Sequence, residues 1–335
     1  MNKDIYVTTG AGSLVSGGSD VWVNGWLDVI TDRLETPGLL LIDNGMPLSV
    51  NPARPEQLKM LYFYGDRTPD MRDETLERAR RIHVLHGHYT KREAIIRYIS
   101  KVQSICVHVL VPDAIRAHKF YGFQGDPDPF YYDLDWYNYL NSRIPTKIWI
   151  GTDPVEGMLH IPNYYKFTHN SGLVRSDKLG FAARTETRKA VHFLGSHDAV
   201  AFTHPEGIRR WERYLHRRFD GTRVIRFDYA YIDRFFSSPE WGVFHGAYYR
   251  EPFGYSIFQA VDHGKLPIVA NDWCPDLEYR YRASTQEEFD EAMDTVRSDA
   301  WSVRESEFER IRTYMIDRFG DVDRWASQIL EVYNG

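Results

Sequence analysis

One stretch, residues 250–271 with the sequence REPFGYSIFQAVDHGKLPIVAN, constrains the fold more than any other part of the chain. Glu251 stands in a turn interrupted by proline and glycine, and Tyr255 to His263 then has a helical pattern. A glycine and a proline lead into Ile268 to Ala270, which predicts a short buried strand. The first N–H groups of a helix have no partner within it, so this turn suits an anion or a polyol. A solvated turn residue in an ordinary αβ unit is the alternative for Glu251.

A second motif lies upstream of the first. Lys178 to Ala183 predicts a strand, and Arg184-Thr-Glu-Thr-Arg-Lys189 then opens a helix-like segment. Two cations at the junction of a strand and a helix can bind one diphosphate, with help from the helix N-terminus. A solvated basic turn is the alternative interpretation.

Together the two motifs resemble the donor-sugar site of retaining GT-B glycosyltransferases, such as glycogen synthases and phage glucosyltransferases. The string Arg-Thr-x-Thr-x-Lys is similar to that of the α-glucosyltransferases of T-even phages, which act on DNA. Leu159-His-Ile-Pro-Asn163 resembles the segment that closes the first domain of this family. The resemblance covers residues 160–280 and implies an α/β protein of the GT-B class, with two Rossmann-like domains facing across a cleft.

The length of 335 residues also suits two α/β domains. We predict a Rossmann-like acceptor domain at residues 1–170, a Rossmann-like nucleotide-sugar domain at 171–318, and a last helix at 319–335 that crosses back to the first domain, as in the family. Strand and helix patterns alternate along the first half. The predicted strands there are Asp4–Thr9, Leu39–Ile42, Leu61–Tyr64, Ile82–Leu85 and Ile105–Val111. The predicted helices are Val21–Arg33, Glu74–Arg80, Lys91–Ser100, Asp133–Asn141 and, at the end of the chain, Gln286–Val296, Glu305–Arg318 and Asp323–Tyr333.

The resemblance implies roles for individual residues. Arg184 and Lys189 would stabilise charge on the leaving diphosphate, and Glu251 would hold sugar hydroxyls, so no enzyme nucleophile is needed. The implied catalytic residues are Arg184, Lys189, Glu251 and Asp113. The implied donor-binding residues are Gly17, Gly18, Arg184, Lys189, Glu251, Phe253, Gly254, Tyr255, Ser256 and Gln259.

Three polar residues that follow predicted strands are candidates for the acceptor side. His86 and His88 follow one predicted strand, and Asp113 follows the next, where ligand sites of α/β sheets gather. They are candidate contacts or proton acceptors for an acceptor hydroxyl. A capping aspartate and structural histidines are the alternative.

One position departs from the family pattern. The family has a second glutamate eight positions after the first, which binds the donor ribose, and this chain has Gln259 there. An amide lacks the charge-assisted hydrogen bond of a carboxylate. This substitution leaves the donor nucleotide open and keeps an inactive nucleotide-sugar-binding module as an alternative.

Other parts of the sequence fit two further classes of site. Gly10-Ala-Gly12 after a strand, with Asp43 ending the next, is typical of dinucleotide binding, but Val15 stands where the third glycine belongs. Two Asp-x-Asp strings would suit a metal-bound diphosphate, but they precede a helix, where aspartate is a good cap. An NAD-dependent enzyme is therefore a third alternative, and we expect no required metal or other cofactor. The two strings are Asp126-Pro-Asp128 and Asp133-Leu-Asp135.

Composition limits the partners and the compartment. The net charge of −6 argues against a generic nucleic-acid binder but leaves room for a locally positive cleft. We expect UDP-glucose as donor and a 5-hydroxymethylpyrimidine in duplex DNA as acceptor, with a glycan or a small molecule as the alternative. The apolar runs are too short to span a membrane. Two cysteines without metal-like pairing favour a reducing compartment. We expect a cytoplasmic monomer, in the host cytoplasm if the protein is phage-encoded.

Overall fold

The computed structural model describes residues 3–8, 18–30, 33–34, 38–42, 61–64, 76–85, 96–108, 110, 112–113, 134–185 and 187–335. Its contacts divide the chain into two compact units. Unit 1 comprises Met1–Val111, Asp133–Asn163 and Val322–Gly335, and unit 2 comprises Pro112–Tyr132 and Tyr164–Asp321.

Unit 1 contains a seven-stranded parallel sheet with the order β3-β2-β1-β4-β5-β6-β7. Strands β2 and β3 are added on one side of β1, and β4 to β7 are added on its other side, which is the Rossmann order. Its strands are β1 (Lys3–Thr8), β2 (Leu39–Ile42), β3 (Leu61–Tyr64), β4 (Ala79–Val84), β5 (Val102–Val107), β6 (Thr146–Trp149) and β7 (Leu159–His160).

Unit 2 contains a five-stranded parallel sheet with the order β10-β9-β8-β11-β12. Its central strands are buried along their whole length, as strands covered by helices on both faces must be. Pro267 is tolerated because β12 is an edge strand of this sheet. The strands are β8 (Leu179–Ala182), β9 (Ala199–Thr203), β10 (Thr222–Arg226), β11 (Val243–Gly246) and β12 (Leu266–Val269).

The helices follow from local signals in the sequence. Helix α6 begins with a capping box between Thr285 and Glu288, and α5 begins after Gly254, which has a left-handed backbone. The α-helices that lie wholly within the described ranges are α1 (Gly18–Ile30), α2 (Leu134–Arg143), α3 (Pro205–Leu215), α4 (Ile232–Phe236), α5 (Tyr255–Asp262), α6 (Gln286–Ser298), α7 (Trp301–Phe319) and α8 (Val322–Asn334). Within the described ranges, no helix has both the length and the apolarity needed to cross a bilayer.

Helix α8 packs into unit 1. Tyr333 is 1% exposed and accepts a hydrogen bond from the indole of Trp26 at 3.1 Å. Its ring packs edge-on against Tyr6 and at a tilt against His83. The carbonyl of Tyr333 accepts a hydrogen bond from Arg81 at 2.6 Å. The core of unit 1 therefore combines residues from both ends of the chain.

The prediction of two parallel α/β sheets is confirmed, but the described ends of some predicted helices are wrong. The helix predicted at Glu74–Arg80 ends before Ala79, because Ala79 and Arg80 already belong to β4. Arg80 and Arg81 bind Asp4 of β1, and this long-range pairing outweighs local helix propensity. The helix-like segment after Arg184 consists of 3₁₀ turns, Thr187–Lys189 and Val191–Ser196, separated by Ala190 with a φ of 47°.

Candidate functional site

The site is built where the strand order of unit 2 reverses, between β8 and β11. The segment that leaves the carboxyl end of β8 carries Arg184 to Lys189, and the segment that leaves β11 carries Glu251. Loops at the carboxyl ends of such a strand pair splay apart and leave a crevice for a ligand. The two motifs of the sequence therefore lie at the edge where α/β sheets bind ligands.

The turn Thr187–Lys189 is buried and held by backbone contacts. The amide of Tyr249 donates to the carbonyl of Arg188 at 2.8 Å, which joins this turn to the loop after β11. His245, buried in β11, lies with its Nε2 3.0 Å from the carbonyl of Ala190. Because a carbonyl only accepts, Nε2 carries the proton and donates it. Burial lowers the pKa of His245 to about 3, so this imidazole is neutral at physiological pH.

Glu251 meets two cations of this turn. Its Oε2 is in direct contact with the ammonium of Lys189 and lies 3.8 Å from Nη1 of Arg188. All three side chains are almost buried, with exposures of 8–11%. The ammonium of Lys189 also lies 4.3 Å from the ring centroid of Tyr248, a cation–π contact. This arrangement fixes two positive charges in a partly dry site, where they interact strongly with an anion.

The turn from Glu251 to Gly254 requires its glycine. Gly254 has a φ of +82°, and a Cβ there would lie 2.9 Å from Ile257 and 3.2 Å from the Cγ of Glu251. The buried indole of Trp273 donates to the carbonyl of Phe253 at 3.0 Å and anchors the turn. Glu251 is therefore held on a rigid turn, immediately before the amide groups that open α5.

The other predicted donor residues occupy different environments. The side chain of Phe253 is 3% exposed and stacks on Phe258 with a centroid distance of 4.3 Å, so only its backbone is available to a ligand. Tyr255 packs on the core, and burial raises its pKa. Ser256 and Gln259 are partly exposed on α5. Arg184 is exposed in the segment between β8 and the turn.

A second charged group adjoins this turn. Arg250, with a left-handed φ of 46°, places its Nε 3.3 Å from a carboxylate oxygen of Asp272, at the carboxyl end of β12. Asp113 interacts electrostatically with both side chains. Burial raises the pKa of Asp272, although Arg250 opposes this shift. Asp113, Arg250 and Asp272 therefore form one cluster within unit 2.

Several predicted residues lie outside the described part of the chain: Gly17, His86 and His88, and also Asp126, Asp128 and Asp133. Gly18 is the first residue of α1, and Asp135 lies in the first turn of α2.

Sequence reasoning missed three residues of this site: Arg188, His245 and Trp273. Arg188 stands beside Lys189 in the quoted motif, but nothing local shows that it faces Glu251, 63 positions away. The contacts of His245 and Trp273 are with backbone carbonyls of other loops, so no sequence motif marks them.

Acidic residues accompany two groups of arginines. Arg80 and Arg81 form four hydrogen bonds to the carboxylate of Asp4, with distances of 2.7–3.3 Å. A surface depression along α3 is lined by Arg209, Arg213, Arg217 and Arg218 but also by Glu206, Glu212 and Asp220, a net charge of +1. The arginines of the first group are paired, and the lining of the depression has mixed charge.

No protein-family model matches the sequence, and no curated protein is significantly similar to it in sequence. The structure is nevertheless similar to several solved glycosyltransferases of the GT-B class. Anabaena HepE, crystallised with UDP and glucose, matches with a TM-score of 0.68 and 14% identity over 100% of both chains. Sucrose-phosphate synthase from Thermosynechococcus elongatus matches with a TM-score of 0.69 and 12% identity, over 99% of this chain and 98% of that chain. An α-glucosyltransferase in complex with UDP-glucose and DNA containing an abasic site matches with a TM-score of 0.62 and 8% identity over 99% of each chain.

These similarities extend over the whole chain, so they concern both units. The chain therefore has the GT-B fold, and the fold class predicted from the two motifs is confirmed.

Proposed function

We propose that the protein is a retaining glycosyltransferase that transfers glucose from UDP-glucose to a hydroxyl group. The observation that carries this proposal is the convergence of Arg188, Lys189 and Glu251 at the reversal of strand order in unit 2. Proteins of the same fold have been crystallised with UDP, glucose or UDP-glucose, which supports a donor of this class.

The proposed chemistry follows from the charges of the site. The ammonium of Lys189 and the guanidinium groups of Arg184 and Arg188 bind the diphosphate of the donor. Glu251 then exchanges its contact with Lys189 for hydrogen bonds to sugar hydroxyls. As the bond from sugar to phosphate breaks, charge grows on the leaving diphosphate, and the fixed cations stabilise that transition state. The acceptor hydroxyl attacks the same face of the sugar from which the diphosphate leaves, so the anomeric configuration is retained.

For the acceptor we propose a 5-hydroxymethylpyrimidine in duplex DNA. The Arg-Thr-x-Thr-x-Lys string supports this choice, as does the similarity in fold to a glucosyltransferase solved with DNA. Asp113 is the proposed proton acceptor, since it lies beside Arg250 and Asp272 in the same unit as the donor residues. His86 and His88 are proposed acceptor contacts.

A glycan or small-molecule acceptor is the second candidate. The pairing of Arg80 and Arg81 with Asp4 and the mixed charge along α3 favour it, because duplex DNA is held mainly through phosphate contacts.

The test is a panel of nucleotide sugars with hydroxymethylated duplex DNA and simple glycans, with transfer read by mass spectrometry. We expect one hexose added to DNA from UDP-glucose without added metal. The logarithm of the DNA binding constant should fall with the logarithm of salt by about 0.9 per phosphate contacted. Transfer only to glycans, or a flat salt response, would move the acceptor to the second candidate. Nucleotide-sugar binding with neither transfer nor hydrolysis would identify an inactive binding module.

A further inference from the structure

A second cluster of polar groups lies at the other end of the sheet of unit 2. His263 follows α5 and precedes β12, so it stands at the amino end of that strand, whereas Glu251 and Asp272 follow the carboxyl ends of β11 and β12. Asp233 lies on α4, and His169 lies in the segment that opens unit 2. The proposed donor chemistry uses none of these three residues.

The side chains of His169, His263 and Asp233 converge. Nε2 of His169 and Nε2 of His263 each lie 3.3 Å from the same oxygen, Oδ1 of Asp233. One ligand atom from each residue lies within 4.8 Å of the other two. Two imidazole nitrogens and a carboxylate oxygen at such distances match the protein ligands of a metal ion with an open position.

The second nitrogen of each ring is also held. Nδ1 of His169 lies 3.1 Å from Oδ2 of Asp262, and Nδ1 of His263 lies 3.2 Å from the hydroxyl of Ser237. Asp262 is fully buried and also accepts hydrogen bonds from the amides of Thr168, His169 and Asn170 at 3.0–3.3 Å. Asp262 therefore holds the ring of His169 through Nδ1, so that Nε2 faces Asp233.

The two rings and the carboxylate bring three metal-ligand atoms to one place. The ring centroids of His169 and His263 are 3.8 Å apart, and both rings offer Nε2 to the same side of Asp233. A single metal ion bound between these atoms would take one ligand from each residue.

We propose that His169, His263 and Asp233 form a structural site for a divalent transition metal of the zinc class. Imidazole and carboxylate ligands suit zinc and its neighbours, whereas magnesium and calcium prefer oxygen ligands only. Asp262 and Ser237 orient the two rings, as outer contacts do in metal sites. Water completes the coordination, since the side chains of His169 and Asp233 are 39% and 66% exposed.

Binding requires a small opening of the two rings. Two imidazoles on one tetrahedral ion have centroids roughly 5 Å apart, given metal–nitrogen distances of about 2 Å. The partial exposure of His169 gives its ring room for this movement. The bound ion would tie the segment of residues 164–170 to α4 and to the start of β12.

Titration of the chelator-treated full-length protein with zinc and with cobalt tests the site. We expect one equivalent to bind, cobalt to give the visible absorption of a tetrahedral ion, and zinc but not magnesium to raise the melting temperature. His169→Ala and Asp233→Ala, both at exposed positions, should each weaken binding by roughly a hundredfold, and Ser237→Ala by about tenfold. His204→Ala, at an exposed histidine of the same unit, is the matched control and should bind as wild type does.

Unchanged zinc affinity in His169→Ala and Asp233→Ala would overturn the proposal, as would the absence of zinc binding by the wild type. Folding of each variant is checked by its cooperative thermal transition in the absence of metal. Because the readout is metal binding, the outcome does not depend on whether the protein transfers sugars.

Discussion

Each unit contains one carboxylate faced by two consecutive basic residues, and the two clusters lie at opposite edges of equivalent strand pairs. In unit 1, Asp4 of β1 binds Arg80 and Arg81 of β4, at the amino end of the parallel pair that flanks the reversal of strand order. In unit 2, Glu251 meets Arg188 and Lys189 beyond the carboxyl ends of β8 and β11, the corresponding pair. We therefore expect the two clusters to serve different purposes, because ligands of α/β sheets bind at the carboxyl ends of the strands.

The two clusters also differ in their hydrogen bonds. Four hydrogen bonds occupy the acceptor positions of the Asp4 carboxylate. Glu251 is in direct contact with Lys189, and Arg188 is 3.8 Å away from it, beyond hydrogen-bond distance. The first cluster is a structural group of three ions, and we propose that the carboxylate of the second changes partners when a donor binds.

Lys189→Ala gives the largest expected effect. It should reduce turnover by roughly two orders of magnitude or more, because it removes a fixed cation from the leaving diphosphate. Lys178→Ala, at a lysine of the same unit paired with Asp198 and Glu240, is the matched control and should retain turnover. Steady-state kinetics with a nucleotide sugar measures both. Near-normal turnover of Lys189→Ala would contradict the assignment of its cluster to the donor.

Asp4→Asn should act on stability instead. Burial raises the pKa of Asp4, but the bonds to Arg80 and Arg81 outweigh it and lower the pKa to about 2. Relative to an unfolded value of about 3.9, this shift stabilises the folded state by about 2.5 kcal/mol at pH 7. Because the folded pKa is the lower one, the stabilisation is complete above about pH 4 and is lost as the pH falls toward 2.

Denaturant unfolding of wild type and Asp4→Asn at pH 7 and pH 3 measures this difference, which should shrink at the lower pH. Asp323→Asn removes an exposed ion pair with Arg33 in the same unit and should change stability by less than about 1 kcal/mol. A pH-independent difference for Asp4→Asn would show that the carboxylate is not the titrating group. Nucleotide binding should be unchanged in both variants.

His83 of β4 and His245 of β11 are equivalent positions at which the two units can be compared, because each is fully buried in the fourth strand of its sheet. His83 binds Ser104 at 2.8 Å and packs on Tyr333, whereas His245 supports the backbone after Lys189. His245→Leu should therefore lower kcat/KM by about tenfold through misplacement of Lys189. His83→Leu should lower stability without this kinetic effect. Equal kinetic losses in the two variants would remove the distinction.

Gln259→Glu has the smallest expected effect. A carboxylate there should tighten UDP binding by about fivefold, through a charge-assisted hydrogen bond to ribose. Gln328→Glu, at an exposed glutamine of α8 in unit 1, is the control. Calorimetric titration with UDP measures both, and equal affinities would place residue 259 away from the ribose.

The sequence predicted the parts of the fold that depend on local pattern. Leu39–Ile42 and Leu61–Tyr64 are strands with the predicted bounds, because short apolar runs between breakers have few alternatives. The start of β4 was mispredicted because Asp4, distant in sequence, selects the strand conformation of Arg80. The 3₁₀ turn at Lys189 likewise depends on contacts with His245 and Tyr249.

The candidate site was predicted in part for the same reason. The motifs identified Lys189 and Glu251, which lie in direct contact, since their residue types and spacing carry the signal. Arg188 could not be assigned, because its burial against Glu251 is a property of the folded unit. The roles of the predicted residues remain predictions until the variants are measured.

The position of Tyr333 in the core of unit 1 affects the order in which the chain can fold during synthesis. Unit 2 includes one continuous stretch, Tyr164–Asp321, which leaves the ribosome before α8 does. The β1 and α1 surface that receives Tyr333 stays uncovered until translation reaches that residue. The packing of unit 1 is therefore completed after unit 2 has been synthesised, although most of unit 1 precedes unit 2 in the chain. During that interval we expect the apolar surface around Trp26 to be accessible to chaperones or to aggregation.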